Sequence, residues 1–207
     1  KERKVAEPVV NATYKPPLPI TFESMAVHHI TEKMVAERPA FKEAPEYAEL
    51  KALFESPDTV AVAHNASFDA AMFAREGIVP AALICTYKLA RALDPGEVME
   101  RYQLQYLRYR LGLEVAATAH DALGDVLVLE AVFERLFAKM VGKQGSEEAA
   151  LTEMIRISNE PMLFTTLRFG KHKGEKIEEV ARSDRSYLEW LLKEKRLHPE
   201  GEEDWLY

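Results

Sequence analysis

Residues 59–73, TVAVAHNASFDAAMF, join an apolar run to a segment that carries a histidine, an asparagine, a phenylalanine and an aspartate. The run TVAVA reads as a fully buried strand, and DAAMFAREG, from residue 69, reads as a helix closed by Gly77. Asn65 stands where it can cap that helix, and Asp69 falls in the first turns, where the helix dipole favours a carboxylate. Capping and dipole do not account for the whole position of Asp69. It shares a face with Met72 and Phe73, three and four residues on, so it points toward the core and needs a partner there.

AHDALGDVLVL, residues 119–129, repeats the pattern. His120 and Asp125 could not converge if both were helical, because five residues turn a helix about 140° past a full revolution. His120 is therefore expected on a loop, with Asp121 as N-cap and Asp125 one turn inside a long helix that runs to about Met140. Val126, Leu129, Phe133, Leu136, Phe137 and Met140 give that helix its amphipathic spacing, and Asp125 lies on the stripe of Leu129, Val132 and Leu136. Two inward acids on different helices point to oxygen ligands for a hard divalent cation. A histidine beside them points to a general base acting on water.

The chain has 207 residues, enough for one substantial core and a small second module. Its 27 basic and 34 acidic side chains leave a net charge of −7, so nucleic-acid contact has to come from a local basic patch. Cys85 is the only cysteine, which excludes an internal disulfide and a cysteine-rich zinc site and fits a reducing, cytoplasmic setting. No apolar run reaches membrane-span length, and the first twenty residues are too charged and proline-rich for a signal peptide.

Along the chain, KVAEPVVNATY (4–14) reads as a short strand and ITEKMVAERPAF (30–41) as a helix that Thr31 could cap. YAELKALFES (47–56) reads as helix and LICTY (83–87) as a buried strand continuing into a helix, before the turn DPGE. The polar residues 143–149 read as a linker between a first domain, 1–142, and a small module, 150–207. In that module the expectation is a short helix, a strand pair TTLRF/KIEEV and the helix SYLEWLLKEK.

Four segments in order, AVHHIT (26–31), HNASFD (64–69), ICTYKLAR (84–91) and HDALGD (120–125), resemble the landmarks of the DEDDh 3′-5′ exonucleases of the ribonuclease H-like superfamily. Residues 164–192 resemble the C-terminal region of that family's exonuclease X branch, so the likeness covers almost the whole chain. The resemblance implies an α/β fold, a ribonuclease H-like mixed sheet with flanking helices, plus a small α+β C-terminal module. It implies Asp69 and Asp125 as metal-binding acids, His120 as general base, Asn65 and Phe68 beside the 3′-terminal nucleotide, and His28 near the substrate channel. The implied reaction is hydrolysis of the last phosphodiester of DNA with two Mg²⁺ or Mn²⁺, releasing nucleoside 5′-monophosphates in repair or proofreading. The partners implied are DNA, single-stranded or at duplex 3′ ends, with RNA as an alternative, and no membrane.

The family's first motif, an Asp-x-Glu on the first strand, has no counterpart, because Glu2, Glu7 and Glu23 lack its spacing and context. Together with Lys1 at the start, this leads to the expectation of an N-terminally truncated exonuclease domain, inactive as it stands or a fragment. A non-catalytic nucleic-acid-binding protein with a degenerate exonuclease fold is the alternative. In the C-terminal module, RFGKHKGEK carries Arg168, Lys171, Lys173 and Lys176 against Glu175 alone. It reads either as a phosphate-binding turn or as a solvated basic tip, with Tyr187, Leu188, Trp190 and Leu191 as a small core behind it.

Overall fold

The computed structural model describes residues 10–115, 122–162, 165–167 and 169–197. Residues 10–14 of the expected strand KVAEPVVNATY are irregular, and its remainder lies outside the described residues. Thr21 opens α1 (Phe22–His28), its hydroxyl accepting the Ser24 N–H at 3.2 Å. Thr31 stands at the N-cap of α2 (Glu32–Val35), but that helix lasts one turn instead of reaching Phe41. Arg38 precedes Pro39, and a residue in that place is driven out of the α region. The chain continues through a 3₁₀ turn, Phe41–Glu43, into α3 (Tyr47–Glu55).

TVAVA delivers β1 (Ala61–Ala63), followed by α4 (Ala66–Arg75) and β2 (Leu83–Cys85). The strands pair in parallel, Ala61 opposite Leu83 and Ala63 opposite Cys85, so α4 is the crossover that parallel pairing demands. Gly77 adopts φ 74° behind α4, a conformation glycine enters without steric cost. At Cys85 β2 runs directly into α5 (Thr86–Ala92), whose Thr86, Tyr87, Leu89, Ala90 and Arg91 are buried. Cys85 packs as a small buried group, its Sγ accepting the Ala66 N–H at 3.4 Å.

An unanticipated helix, α6 (Leu104–Arg110), precedes the long α7 (Ala122–Gln144). In LQYLRYR only Leu107 is buried, so no apolar stripe announces the helix. The core stripe of α7 is Gly124, Val128, Val132, Leu136 and Met140, while Val126 is 56% exposed. The buried face is therefore rotated from the one expected through Val126.

Ser146 caps α8 (Glu147–Asn159), which packs against β2, α5 and α7. This corrects the domain boundary. Residues 143–149 are not a linker but the end of α7, a tight turn with Gly145 at φ 83°, and the start of α8. Ala150 and Met154 are fully buried, the Ser158 Oγ accepts the Cys85 N–H at 2.8 Å, and the two compact units divide between Glu160 and Pro161. Among the described residues no helix is long and apolar enough to cross a membrane.

In the second unit, Thr166 and Lys176 form an antiparallel bridge around the turn, but KIEEV enters α9 (Ile177–Ser183) and not a second strand. Glu178 and Glu179 sit in its first turn, where the dipole favours them, and Val180 is fully buried beneath. The helix expected at SYLEWLLKEK is α10 (Arg185–Leu197). Tyr187 stands at 5.7 Å from the Trp190 ring, and Trp190 is half exposed, so Leu167 and Val180 form the buried centre of this unit.

Gly170 has φ 71°, and a methyl group on it would overlap the Tyr187 hydroxyl and lie 3.2 Å from its Cζ. Gly170→Ala should therefore destabilise this unit by at least about 2 kcal/mol, from left-handed backbone strain plus displacement of the ring. The measurement is the urea midpoint by tryptophan fluorescence, and a wild-type midpoint would show that the turn relaxes freely.

Candidate active site

His64 closes β1 with both ring nitrogens engaged. Nε2 lies 2.8 Å from the Tyr102 carbonyl oxygen, so it carries the proton and donates, and Nδ1 faces the Thr86 Oγ1 at 2.9 Å. Burial pushes the imidazole down to about 4, against the opposing pull of the Tyr102 carbonyl, and keeps the ring neutral. One side chain thus ties the end of β1 to the start of α5 and to the loop before α6.

Asn65 follows in a left-handed conformation, φ 64° and ψ 52°, which asparagine tolerates better than most residues. It occupies the N-cap of α4, but its side chain makes no capping bond. Its Oδ1 accepts from the Ser67 hydroxyl at 3.4 Å. The sharp reversal carries α4 away from the strand and places Asp69 in the first helical turn, half-buried. Burial raises the Asp69 carboxyl above its ordinary value, against the pull of its own backbone N–H. The neighbours expected to share its buried face divide. Phe73 packs at a tilt against Phe54 with centroids 4.6 Å apart, whereas Met72 is exposed.

Asp125 sits in the first turn of α7, half-buried, and its Oδ1 accepts from the Gln105 Nε2 of α6 at 2.7 Å. The two acids stand on helices around one β2–α5 segment, α4 against β1 and β2 and α7 against α5. His28 ends α1, its Nδ1 accepting the Ile30 N–H at 3.0 Å, which leaves Nε2 as the donor nitrogen. Phe68 is 67% exposed on α4, one position before Asp69. His120 and its neighbour Asp121 lie outside the described residues, as does Arg168.

In the second unit Lys171 is paired with Asp184 and sits over the Tyr187 ring at 5.2 Å. His172 bridges Glu175 and Asp184 at 3.0 and 3.1 Å. Lys171 and His172 hold Asp184 well below the usual carboxylate range, and Asp184 and Glu175 in turn raise His172. Of the two described lysines expected to meet phosphate, Lys171 has an internal carboxylate partner and Lys173 is exposed.

Among the described residues no three His, Cys, Asp or Glu side chains form a group able to hold a metal ion. The donors on offer are carboxylates, and Mg²⁺ is commonly held by one or two of them, with water and substrate phosphate oxygens completing its shell. A half-buried acid whose charged form is disfavoured by desolvation, as at Asp69, has the chemistry such an ion requires.

The Exonuclease family model matches residues 1–133. The chain belongs to the exonuclease family. A second model, Exodeoxyribonuclease X-like C-terminal, matches residues 167–196, within the second compact unit. Exodeoxyribonuclease 10 of Escherichia coli (strain K12) is 32% identical over 192 residues, covering 91% of this chain and 78% of that protein. DNA polymerase III subunit epsilon of Treponema pallidum is 30% identical over 125 residues, 58% of this chain and 56% of that protein. A solved structure, exonuclease X in complex with 5′ overhanging duplex DNA, superimposes with a TM-score of 0.53 at 31% identity, covering 72% of this chain and 82% of that one. The fold is accordingly the ribonuclease H-like α/β fold of DEDDh exonucleases, and the chain is a member close to exonuclease X. Two sets of contacts around the candidate residues escape sequence reading, those of the His64 anchor and those of Gln105. A solitary glutamine in QLQYLRYR carries no spacing signal, and the bonds of His64 reach across 22 and 38 residues.

Proposed function

We propose that the protein is a 3′-5′ exodeoxyribonuclease that releases nucleoside 5′-monophosphates from DNA 3′ ends with Mg²⁺ or Mn²⁺, in the cytoplasm. The observation that carries this reading is Asp69, a half-buried carboxylate raised by desolvation on the helix that leaves β1. Membership of the exonuclease family and likeness to exonuclease X, seen with duplex DNA, support it.

Asp69 and Asp125 would hold the divalent cations, which when bound offset the charge that develops on the phosphate under attack. His120, five residues before Asp125, would take the proton of the attacking water. The exposed Phe68 ring would stack on the terminal base, and Asn65 and His28 would offer donors to the last nucleotide. Lys173 and Arg168 would meet backbone phosphates of the strand, with Lys171 available only on release from Asp184.

The test uses single-stranded DNA labelled at its 5′ end, incubated with the chain and Mg²⁺ or Mn²⁺. A ladder of shortened labelled products with free mononucleotides, abolished by chelator, is expected. Immediate release of the labelled nucleotide would reverse the polarity. Retained DNA binding with no metal-dependent shortening would replace this reading by the non-catalytic, nucleic-acid-binding one.

A further inference from the structure

Gln105 lies outside every motif, yet among the described residues it meets Asp125. Its amide is oriented from both sides. Nε2 faces the Asp125 Oδ1 at 2.7 Å, and Oε1 faces the Arg108 Nη1 at 3.4 Å. A carboxylate only accepts and a guanidinium only donates, so the amide cannot be flipped without losing both bonds. Arg108 is itself fixed, since its Nη2 donates to the Val115 carbonyl and its guanidinium lies over the Tyr109 ring at 5.3 Å. The row Arg108, Gln105, Asp125 thus runs from α6 into the first turn of α7.

The chemistry of the middle member matters. A lysine or arginine at this place would hold Asp125 equally well, but it would cancel the carboxylate charge and compete with any cation. A neutral amide fixes the oxygen and leaves the full negative charge available. The positive charge of Arg108 is kept one side chain away from Asp125. Outer groups of this kind orient a ligand, and their loss commonly costs 10- to 100-fold in metal affinity.

We propose that Gln105 is a positioning residue for Asp125: a neutral donor, aligned by Arg108, that fixes Oδ1 and leaves the charge of the carboxylate for a divalent cation. This rests on the reading of Asp125 as a metal ligand.

The test is Mn²⁺ affinity of the full chain by calorimetry, for wild type, Gln105→Met, Gln105→Lys, Asp125→Asn and the double variant Gln105→Met/Asp125→Asn. Methionine keeps the length and removes the donor. Lysine keeps a donor and adds the charge, and it supplies the test if the methionine variant does not fold. Both are expected to weaken Mn²⁺ binding at least about 10-fold, with the methionine effect vanishing in the Asp125→Asn background. Wild-type affinity in Gln105→Met, or wild-type affinity in Gln105→Lys, would overturn the inference while leaving Asp125 as a ligand. So would a methionine effect that persists in full without the Asp125 carboxylate. No Mn²⁺ binding by the wild type, or equal binding by wild type and Asp125→Asn, would instead remove the ligand assignment, and the inference with it.

Discussion

Asp69→Asn is expected to change the protein in two opposite directions. In the absence of metal its thermal midpoint should rise, because the substitution removes a charge that the folded state holds at a desolvation cost. The sign follows from linkage. The folded carboxyl titrates above its unfolded value, so between those values the folded chain binds more protons and stability falls as pH rises. The variant lacks that loss, so the gap between the two proteins should widen from pH 4 toward neutrality. With Mn²⁺ the order reverses. The wild type should gain stability from the ion and the variant should not. Losing several kcal/mol of charge stabilisation at the phosphate would slow DNA hydrolysis roughly a thousandfold. Thermal melts with and without Mn²⁺ across this pH range check the first part, and mononucleotide release checks the second. A lower midpoint for the metal-free variant would mean that Asp69 is satisfied within the fold and has no need of a cation.

His64 should make the protein acid-sensitive in a window set by its own titration. The folded imidazole titrates at about 4 against an ordinary 6.5, so the unfolded chain binds a proton that the folded chain refuses. The stabilisation is complete above 6.5 and is lost as pH falls toward 4. The loss relative to neutral pH is about 2 kcal/mol at pH 5 and about 3 kcal/mol at pH 4. His64→Gln retains a donor for the Tyr102 carbonyl but cannot take up a proton. At pH 7 it should cost about 1 kcal/mol through poorer hydrogen bonding. By pH 5 the wild type should have lost its advantage. Urea denaturation of both proteins between pH 7 and pH 4 makes the comparison, because the carboxylate titrations common to both cancel in the difference. Parallel curves would show that His64 is free to ionise in the folded chain. Loss of the neutral ring would also loosen the loop that leads into α6, and with it the helix that presents Gln105.

Several features of the fold and the site are local and stand in the sequence itself. An apolar run too short for anything but a buried strand places β1, and the Asn65 to Asp69 segment places the start of α4 with its acid in the first turn. Gly77 marks a turn only glycine enters freely, and the apolar repeat of the long helix puts Asp125 one turn from its beginning. These readings depend on residues within a few positions of each other, where backbone preference and periodicity decide. The order of the four motifs likewise sufficed to indicate the exonuclease family.

Other features depend on residues far apart in the chain. KIEEV satisfies a strand pattern in isolation and becomes α9 because Val180 is buried in the centre of its unit. The polar segment around Ser146 has the composition of a linker, yet it is a tight turn, because α8 finds its apolar partner on β2. His64 acquires its low pKa from burial, against the pull of the Tyr102 carbonyl, and Asp125 meets Gln105 because α6 docks on α7. Sequence by itself determined which residues carry charge and, for Asp69 and Asp125, on which local element each stands. Tertiary structure alone decided which of them lose water and which partner each one meets, because desolvation and hydrogen bonding depend on neighbours 20 to 38 residues away.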